Sequence, residues 1–509
     1  MTLADLLMPL EVVSAEGDLD VEVSAMTDDS RDVMPGGVFV AVKGQRTDGH
    51  AFVEQACRRG AGGVVVQAPF QVPVRCAHDA SPAWITVNDS RKTLGRLAAR
   101  FFRNPSQALT VVGVTGTNGK TTVTHVSQAI LSSGGCRTGL IGTVGYRLGH
   151  EVQAASHTTP GAVPLQSFLH RMVEAGMEAA VLEVSSHALA LDRVEGCTFD
   201  IVVFTNLTRD HLDFHGDMES YYQTKLCLFR DCVIPHSSTR PKRAIVNIDD
   251  AWGVRLAAET PVPVWTCSLR QHADLQARHV RLSLEGTRFT AHTPVGAVDI
   301  QTALVGEHNV SNLLAGIGVG LARGLSLPAI QEGIRGFQAV PGRFERVDAG
   351  QDFSVIVDYA HTEDALARLL DVARQLTTGR LLTVFGCGGD RDRGKRSNMG
   401  QVAAQRSDVV FLTSDNPRTE DPDAILHDVE QGVLELAEGA RGAWHVIPDR
   451  RAAIQAALRE ARTGDMVVIA GKGHEDYQII GDTRHHFDDR DVARDLLSGW
   501  SKRQPHGVP

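Results

Sequence analysis

The chain has 509 residues, 42% hydrophobic and 22% charged, with a formal net charge of −10 at neutral pH. That length exceeds one ordinary core and predicts about two to four domains, and the acidic balance argues against general binding to nucleic acid or anionic membrane. No run of about 18 uncharged apolar residues occurs, and the N-terminus lacks a basic flank and apolar stretch, so neither membrane insertion nor a secretory signal is expected.

Residues 1–106 read as a small α/β domain, with strands at 38–42, 63–66 and 84–87 and a helix over 49–59. Polar loops cover 27–31 and 43–49, and a helix over 90–103 runs into Asn104-Pro105, a linker signal. Residues 107–340 form a second, central domain that opens on Leu109-Thr-Val-Val-Gly-Val-Thr-Gly-Thr-Asn-Gly-Lys-Thr-Thr122. A β-branched run, a glycine turn and a helix start in that order cradle phosphate. Gly116, Thr117, Asn118 and Gly119 turn backbone N–H groups toward an anion, and the helix N-terminus adds positive potential. Lys120 then reaches the terminal phosphates, and Thr121, followed by Thr122, offers a hydroxyl to Mg²⁺. The strict pattern G-x-x-x-x-G-K-[ST] is missed, because it needs glycine where the chain has Val114.

Strands at 179–183 and 199–205 alternate with helical stretches and predict a mostly parallel sheet. The segment 262–305 reads as β-hairpins with Gly286 and Gly296 at turns, and 309–323 as an apolar helix rich in small residues. Pro341-Gly342-Arg343 marks the start of a third domain, 341–509, whose strands at 354–358, 381–385, 408–412 and 465–470 make a Rossmann-like unit. The fold class is therefore α/β: a central P-loop-type parallel-sheet ATPase domain between an N-terminal α/β domain and a C-terminal Rossmann-like domain. The tail 501–509 is expected to fray. Eight scattered cysteines form no C-x-x-C pair, and Cys227 and Cys232 lack the second pair a zinc site needs, so reduced thiols in the cytoplasm are expected.

Ligands of open α/β sheets bind at the carboxyl ends of strands, where this chain places polar residues and glycine. Glu183 leaves its strand beside the phosphate loop, placed to bind Mg²⁺ directly or through water, while Ser185 or Ser186 can cap the helix that follows. Thr205-Asn-Leu-Thr-Arg-Asp-His-Leu-Asp213 offers Asp210 and His211 to place Mg²⁺ or a reacting carboxylate. Tyr222, Leu226 and Phe229 share a helical face with Lys225 close to it. That lysine either snorkels to water or, buried with a lowered pKa, reacts with CO₂ and becomes an anionic metal ligand; spacing leaves both open. Phe385-Gly-Cys-Gly-Gly-Asp-Arg-Asp-Arg-Gly-Lys-Arg396 pairs a weak dinucleotide-like glycine pattern with a basic run suited to an anion. In Ser414-Asp-Asn-Pro-Arg-Thr-Glu-Asp-Pro422, Asp415 can accept from an ammonium and Arg418 can grip a carboxylate bidentately, which suits a zwitterionic amino acid. Ala470-Gly-Lys-Gly-His-Glu475 adds a carboxylate beside open backbone.

On these stretches the chain resembles the Mur ligase family of peptidoglycan synthesis, in order and over essentially its whole length. Gly116-Thr-Asn-Gly-Lys-Thr-Thr122 is similar to that family's ATP motif, and Gly306-Glu-His-Asn-Val-Ser-Asn-Leu-Leu-Ala315, Pro341-Gly-Arg343 and Asp358-Tyr-Ala-His361 to its other landmarks. Asp415-Asn-Pro-Arg418 resembles the motif of members that add meso-2,6-diaminopimelate to UDP-N-acetylmuramoyl-L-alanyl-D-glutamate. Lysine-adding members lack this arginine, and a guanidinium rewards the second α-carboxylate by which diaminopimelate differs from lysine.

The resemblance implies an ATP- and Mg²⁺-dependent amide ligase that works through an acyl phosphate on small-molecule substrates, as a cytoplasmic monomer without a nucleic-acid partner. It implies catalytic roles for Lys120, Glu183, Lys225 and His211, and ATP binding by Gly116, Thr117, Asn118, Gly119, Lys120, Thr121, Thr122, Asn309, Arg343 and Asp358. Thr121, Glu183 and Lys225 as a carbamate would lie at the metal. Ser30, Gln45, Arg46, Thr47, Thr158, Thr159, Ser185 and Arg193 would hold the UDP-muramoyl-dipeptide, and Arg391, Asp415, Asn416, Pro417, Arg418, Gly471 and Glu475 would receive diaminopimelate. The chain departs from close relatives at Leu191, where glutamine is common, and at His157, where asparagine is, both on the nucleotide-sugar side. A folylpolyglutamate-type or other Mur ligase is disfavoured by Asp415 to Arg418 and the uridine-side loop. A nucleotide-driven switch would hydrolyse ATP in response to a protein and ignore diaminopimelate, and a Rossmann oxidoreductase lacks its full fingerprint.

Overall fold

In the computed structural model, which describes residues 1–8, 10–44, 47–71, 82–233 and 242–498, the strand Thr110–Thr115 lies in the middle of an eleven-stranded sheet. All six of its residues are buried, as expected of a β-branched strand covered by helices on both faces. Parallel partners Ala179–Glu183 and Ile201–Phe204 flank it. Parallel pairing continues to Thr138–Gly142 on one side, and through Arg243–Asn247 and Val264–Ser268 to Leu275–Ser283 on the other. Leu275–Ser283, Gly286–Thr293 and Gly296–Thr302 then form an antiparallel meander, which matches the expected hairpins. Val264–Ser268 departs from that expectation: the helix Ala251–Glu259 carries the chain back over the sheet, so this strand re-enters parallel to Arg243–Asn247.

One face of the sheet packs Val112, Val114, Ile201 and Val203 against the helices Lys120–Ser133 and Glu307–Ala322. The small residues of the second helix let the two approach closely: a Cβ on Gly316 would lie 2.6 Å from Val126 Cγ1. The other face packs Val111, Leu182, Val202 and Phe204 with Leu165 and Leu169 of Ala162–Glu174 and Leu226 and Phe229 of Met218–Arg230.

The N-terminal sheet runs in the order Val12–Glu16, Ala83–Val87, Gly63–Gln67, Val38–Val40, Met26–Thr27. Its three inner strands are the ones expected from sequence, and both edges carried no signal. The helix expected over 49–59 is a 3₁₀ turn, Gly49–Phe52, followed by the helix Val53–Arg58. The C-terminal sheet has six strands, with Ser354–Asp358, Met466–Ala470, Leu381–Phe385 and Val409–Leu412 adjacent and parallel. Glu363–Leu376, Lys395–Arg406 and Pro422–Leu434 cover one face, and Arg450–Glu460 and Asp489–Leu497 the other, which is the Rossmann-like arrangement. No helix among the described residues is long and apolar enough to cross a membrane. Cys136, Cys197, Cys267 and Cys387 are buried thiols, and burial pushes that of Cys197 up to about 12. The tail 501–509 lies outside the described residues.

Candidate active site

The phosphate loop starts at Gly116, with φ +145°, and ends at Gly119, with φ +90°, which caps the helix Lys120–Ser133. A Cβ on Gly116 would lie 1.9 Å from Thr205 Oγ1, and one on Gly119 2.4 Å from Asn312 Oδ1, so both positions require glycine. The neighbouring strand end locks the turn: Thr117 N–H donates to Asn206 O at 2.9 Å and Asn118 N–H to Asn206 Oδ1 at 3.0 Å. Thr205 Oγ1 and Asn206 Nδ2 donate back to Asn118 O at 2.6 and 3.1 Å. Asn309 Oδ1 accepts Asn312 Nδ2 at 3.1 Å, so the helix Glu307–Ala322 braces the last glycine of the loop. Gly116→Ala is expected to weaken ATP binding about tenfold or more, read by calorimetry, because strained φ and the threonine contact add. Unchanged affinity would refute this steric account.

Lys120 folds over the loop, its Nζ donating to Gly116 O at 3.0 Å and Thr117 O at 2.8 Å. Burial lowers its pKa, against the opposing pull of Glu183 and Asp210. Glu183, fully buried, arrives on the adjacent strand: Oε2 accepts the Thr121 hydroxyl at 3.0 Å and that of Thr143 at 3.1 Å, and Oε1 accepts Thr143 N–H at 2.8 Å. A carboxylate and a hydroxyl side by side at a helix N-terminus are hard oxygen donors. They fit Mg²⁺, which takes few protein ligands and fills its shell with water and phosphate oxygens. No cluster of three or more His, Cys, Asp or Glu among the described residues could hold a metal alone.

Behind the loop, the helix Met218–Arg230 carries Lys225, only 1% exposed, whose Nζ donates to Gly116 O at 3.0 Å. The snorkelling alternative fails, because the chain ends inside the protein, 4.6 Å from the Tyr221 ring centre. Burial, then the nearby Lys120, holds this amine well below the usual lysine range. His211 takes φ 53°, puts Nε2 3.4 Å from Asp210 Oδ2 and meets His187 edge-on at 4.7 Å. Burial pulls His211 down to about 3 against the pull of Asp210, so its imidazole is neutral.

A cleft of about 1460 Å³ joins this region to the C-terminal sheet. Thr117 to Thr122, Thr158, Glu183, Ser185, Arg193, His211, Asn309, Arg343, Asp358, Arg391, Asp415, Asn416, Arg418, Gly471 and Glu475 all line it. Arg343 lies over the Tyr359 ring at 4.5 Å and donates to Thr121 Oγ1 at 3.4 Å. Asp358 accepts from Phe344 N–H and Ala360 N–H at 2.7 and 2.8 Å, which ties down the segment bearing Arg343, and burial raises its pKa. Thr159 and Pro417 stand behind the wall. Thr159 Oγ1 donates to Glu183 O at 2.7 Å, and Arg193 Nη1 donates to Thr159 O at 2.9 Å. Ser185 caps the helix Ser186–Ala190, so cap and cleft residue coincide there.

The glycines of 386–389 serve packing, not a dinucleotide. A Cβ on Gly386 would lie 2.0 Å from Thr413 O and one on Gly389 1.9 Å from Pro417 O, so they make room for the turn that bears Asp415 to Arg418. Arg418, at φ 54°, donates from Nη1 to Gly389 O at 2.7 Å. Arg391 is exposed on the rim.

On the expected uridine side, Ser30 is buried and donates to Gln55 Oε1 at 2.9 Å, and Thr47 is exposed; neither lines the cleft. Gln45 and Arg46 lie outside the described residues. His157 lines the cleft, its carbonyl accepting the Tyr146 hydroxyl at 2.7 Å, whereas Leu191 ends the helix Ser186–Ala190 away from it. Sequence reasoning missed Thr143 and Asp364, whose Oδ2 accepts Asn118 Nδ2 at 3.0 Å and so ties the loop to the helix Glu363–Leu376. Neither carries a local signal. Asn206 and Lys472, also missed, sit inside stretches that were singled out.

The loop, the carboxylate beside it and the charged wall of Asp415, Arg418 and Glu475 across one cleft define a nucleotide-dependent ligase architecture, and the chain belongs to the Mur ligase family. Its residues 114–320 match the Mur ligase middle domain, 342–473 the Mur ligase glutamate ligase domain, and 22–102 the Mur ligase family catalytic domain. Among similar proteins, UDP-N-acetylmuramoyl-L-alanyl-D-glutamate–2,6-diaminopimelate ligase of Geobacter metallireducens is 45% identical over 504 residues, covering 96% of this chain and 97% of that one. The ligase of the same name from Gloeobacter violaceus is 49% identical over 489 residues, covering 96% of both. A solved structure of a protein with that name superposes with a TM-score of 0.69 at 34% identity, over 98% of this chain and 99% of that one.

Proposed function

We propose that this chain is an ATP-dependent ligase that joins meso-2,6-diaminopimelate to UDP-N-acetylmuramoyl-L-alanyl-D-glutamate in peptidoglycan precursor synthesis. The observation that carries this reading is the single cleft shared by the phosphate loop and the pocket of Asp415, Arg418 and Glu475. A three-substrate ligation needs that convergence, and each of the three large sheets would bring one ligand to it, with domains at 1–106, 107–340 and 341–509.

In this mechanism an oxygen of the D-glutamyl carboxylate attacks the γ-phosphorus of ATP and ADP leaves. The unprotonated amine of diaminopimelate then attacks the acyl carbon, phosphate departs with the C–O electron pair, and the amine's proton is lost to the surroundings. Lys120 and the loop N–H groups offset charge on the transferring phosphoryl group. Mg²⁺, when held by Thr121 and Glu183, supplies further charge neutralisation there. Arg343 faces the same phosphates from the other wall. Thr158 and Arg193, on the Glu183 side of the cleft, orient the muramoyl-dipeptide, and Ser30, Gln45, Arg46 and Thr47 are assigned to its uridine end. The amine of Lys225, held below the usual lysine range chiefly by burial, is suited to add CO₂ in its free-base form and release a proton, and the carbamate would place an anion behind the loop. His211, neutral, holds a water or the metal's solvent shell. Arg418 grips the distal carboxylate of diaminopimelate from Nη2, with Arg391 at the rim. An acidic chain with scattered thiols suits a cytoplasmic monomer.

An amino-acid panel with ATP and UDP-N-acetylmuramoyl-L-alanyl-D-glutamate tests the reading by phosphate release. Release is expected with diaminopimelate, and preference for L-lysine would overturn the substrate assignment.

A further inference from the structure

The amino-acid pocket contains a buried cation that the acyl-transfer steps do not use. Lys472 follows the strand Met466–Ala470 and is fully buried. Its Nζ donates to Asn416 Oδ1 and Glu475 Oε2, each at 3.3 Å, and to Asp415 Oδ1 at 3.5 Å, with the Tyr477 ring centre 5.4 Å away. Asn416 Oδ1 also accepts Ile479 N–H at 2.9 Å, which orients the amide so that Nδ2 donates to Glu475 Oε2 at 3.0 Å. Each carboxylate thus has one oxygen engaged inside the network. Among the described residues, Asp415 Oδ2 and Glu475 Oε1 accept no hydrogen bond, and both residues line the cleft. Gly471 keeps the first of these oxygens open, since a Cβ there would lie 3.1 Å from Asp415 Oδ2.

We propose that Lys472 is a positioning residue that holds Asp415 and Glu475 as a paired receptor, one outward oxygen each, for an ammonium group of the amino-acid substrate. The proposal rests on the amino-acid-binding reading given above. Two carboxylates and one ammonium leave a single net negative charge, which one incoming ammonium neutralises. Without Lys472 two carboxylates converge in a buried pocket, and a proton competes with the ligand. Glu475 already sits above the ordinary carboxylate range, raised by burial and then by Asp415, with Lys472 opposing. Tyr359, Tyr477 and Arg450 also face this pair, and Arg418 and Arg484 stand near Tyr477. Arg450 is committed to Asp489, Arg484 to Asp476 and Arg418 to Gly389 O. His474, next in the chain to Glu475, is neutral, pulled to about 3 chiefly by burial. Lys472 is the cation in ion-pair contact with both carboxylates among the described residues.

The sign follows from that arrangement. Removing Lys472 raises the Glu475 pKa further, so the receptor is lost at a higher pH as acid is added. Lys472→Met in the full chain is expected to raise KM for meso-diaminopimelate about tenfold or more. The acid limb of kcat/KM for the amino acid should move up by about one pH unit, and KM for ATP should stay unchanged. Lys472→Arg should return the limb toward its original place. An unmoved KM and acid limb would overturn the proposal. So would a parallel loss of ATP affinity, or identical behaviour of the methionine and arginine variants, since either marks a folding role alone. If the unaltered enzyme uses L-lysine, the substrate assignment fails separately, and the same KM and pH shifts measured with L-lysine still support Lys472, because the ammonium is common to both amino acids.

Discussion

Lys120→Met is expected to lower kcat/KM for ligation by about 10²–10³-fold, the range found when one preorganised donor to a developing charge is removed. The fold should be spared. Lys120 lines the cleft and donates to Gly116 O, which keeps its bond from Lys225 Nζ once the ammonium is gone, and to O of Thr117, a residue that lines the cleft. The shape of the loop depends instead on Gly116, Gly119 and the bonds from Thr205 and Asn206, none of which involves this side chain. Methionine keeps the apolar stem and deletes only the charge. The informative measurement is a pair: steady-state ligation, and thermal unfolding without nucleotide. A variant that ligates at the ordinary rate would remove Lys120 from the mechanism. One that loses several degrees of thermal stability would show that the lysine holds the loop rather than the phosphate.

What could be read from sequence follows how local each feature is. The phosphate loop was legible because strand, glycines, lysine and helix start are consecutive, although Val114 defeats the strict pattern. Glu183 was legible as a strand-end carboxylate beside that loop. Its partner Thr143, which donates to it from both backbone and hydroxyl, comes from a neighbouring strand end and has no pattern of its own. Helical spacing put Lys225 near a buried face but could not choose between water and protein. Its acceptor, Gly116 O, is 109 residues away, a contact only the assembled sheet creates. The glycines at 386–389 looked like a ligand turn because spacing cannot tell a backbone that approaches a cofactor from one that approaches another backbone. The edge strands Val12–Glu16 and Ala443–Val446 escaped notice since most of their residues are exposed and show no clear alternation. Lys472 lay in a stretch already singled out, yet a lysine between two glycines reads as solvent-facing until Asp415 and Asn416 are brought beside it.

Arg450→Met is expected to destabilise the C-terminal part of the protein by about 3–5 kcal/mol, as breaking a buried pair does when one charge is left behind. Arg450 and Asp489 side chains are both fully buried, with Nε to Oδ1 at 2.8 Å and Nη2 to Oδ2 at 2.7 Å. The pair joins the first turns of Arg450–Glu460 and Asp489–Leu497, and Arg450 Nη2 also donates to Ala470 O at 3.0 Å and Nη1 to Ser414 O at 3.5 Å. Those carbonyls head the two turns that carry Lys472 with Glu475 and Asp415 with Arg418. The loss should therefore appear as a fall of roughly 10 °C in the calorimetric transition and as a higher KM for the amino acid. The double variant Arg450→Met/Asp489→Leu separates the causes. If the uncompensated carboxylate is what destabilises, removing both charges should recover much of the stability lost in the single variant. If the double variant is as unstable as the single one, the damage lies in the lost bonds to Ala470 and Ser414, and the arginine acts chiefly as a strut under the turns that carry Asp415 and Glu475.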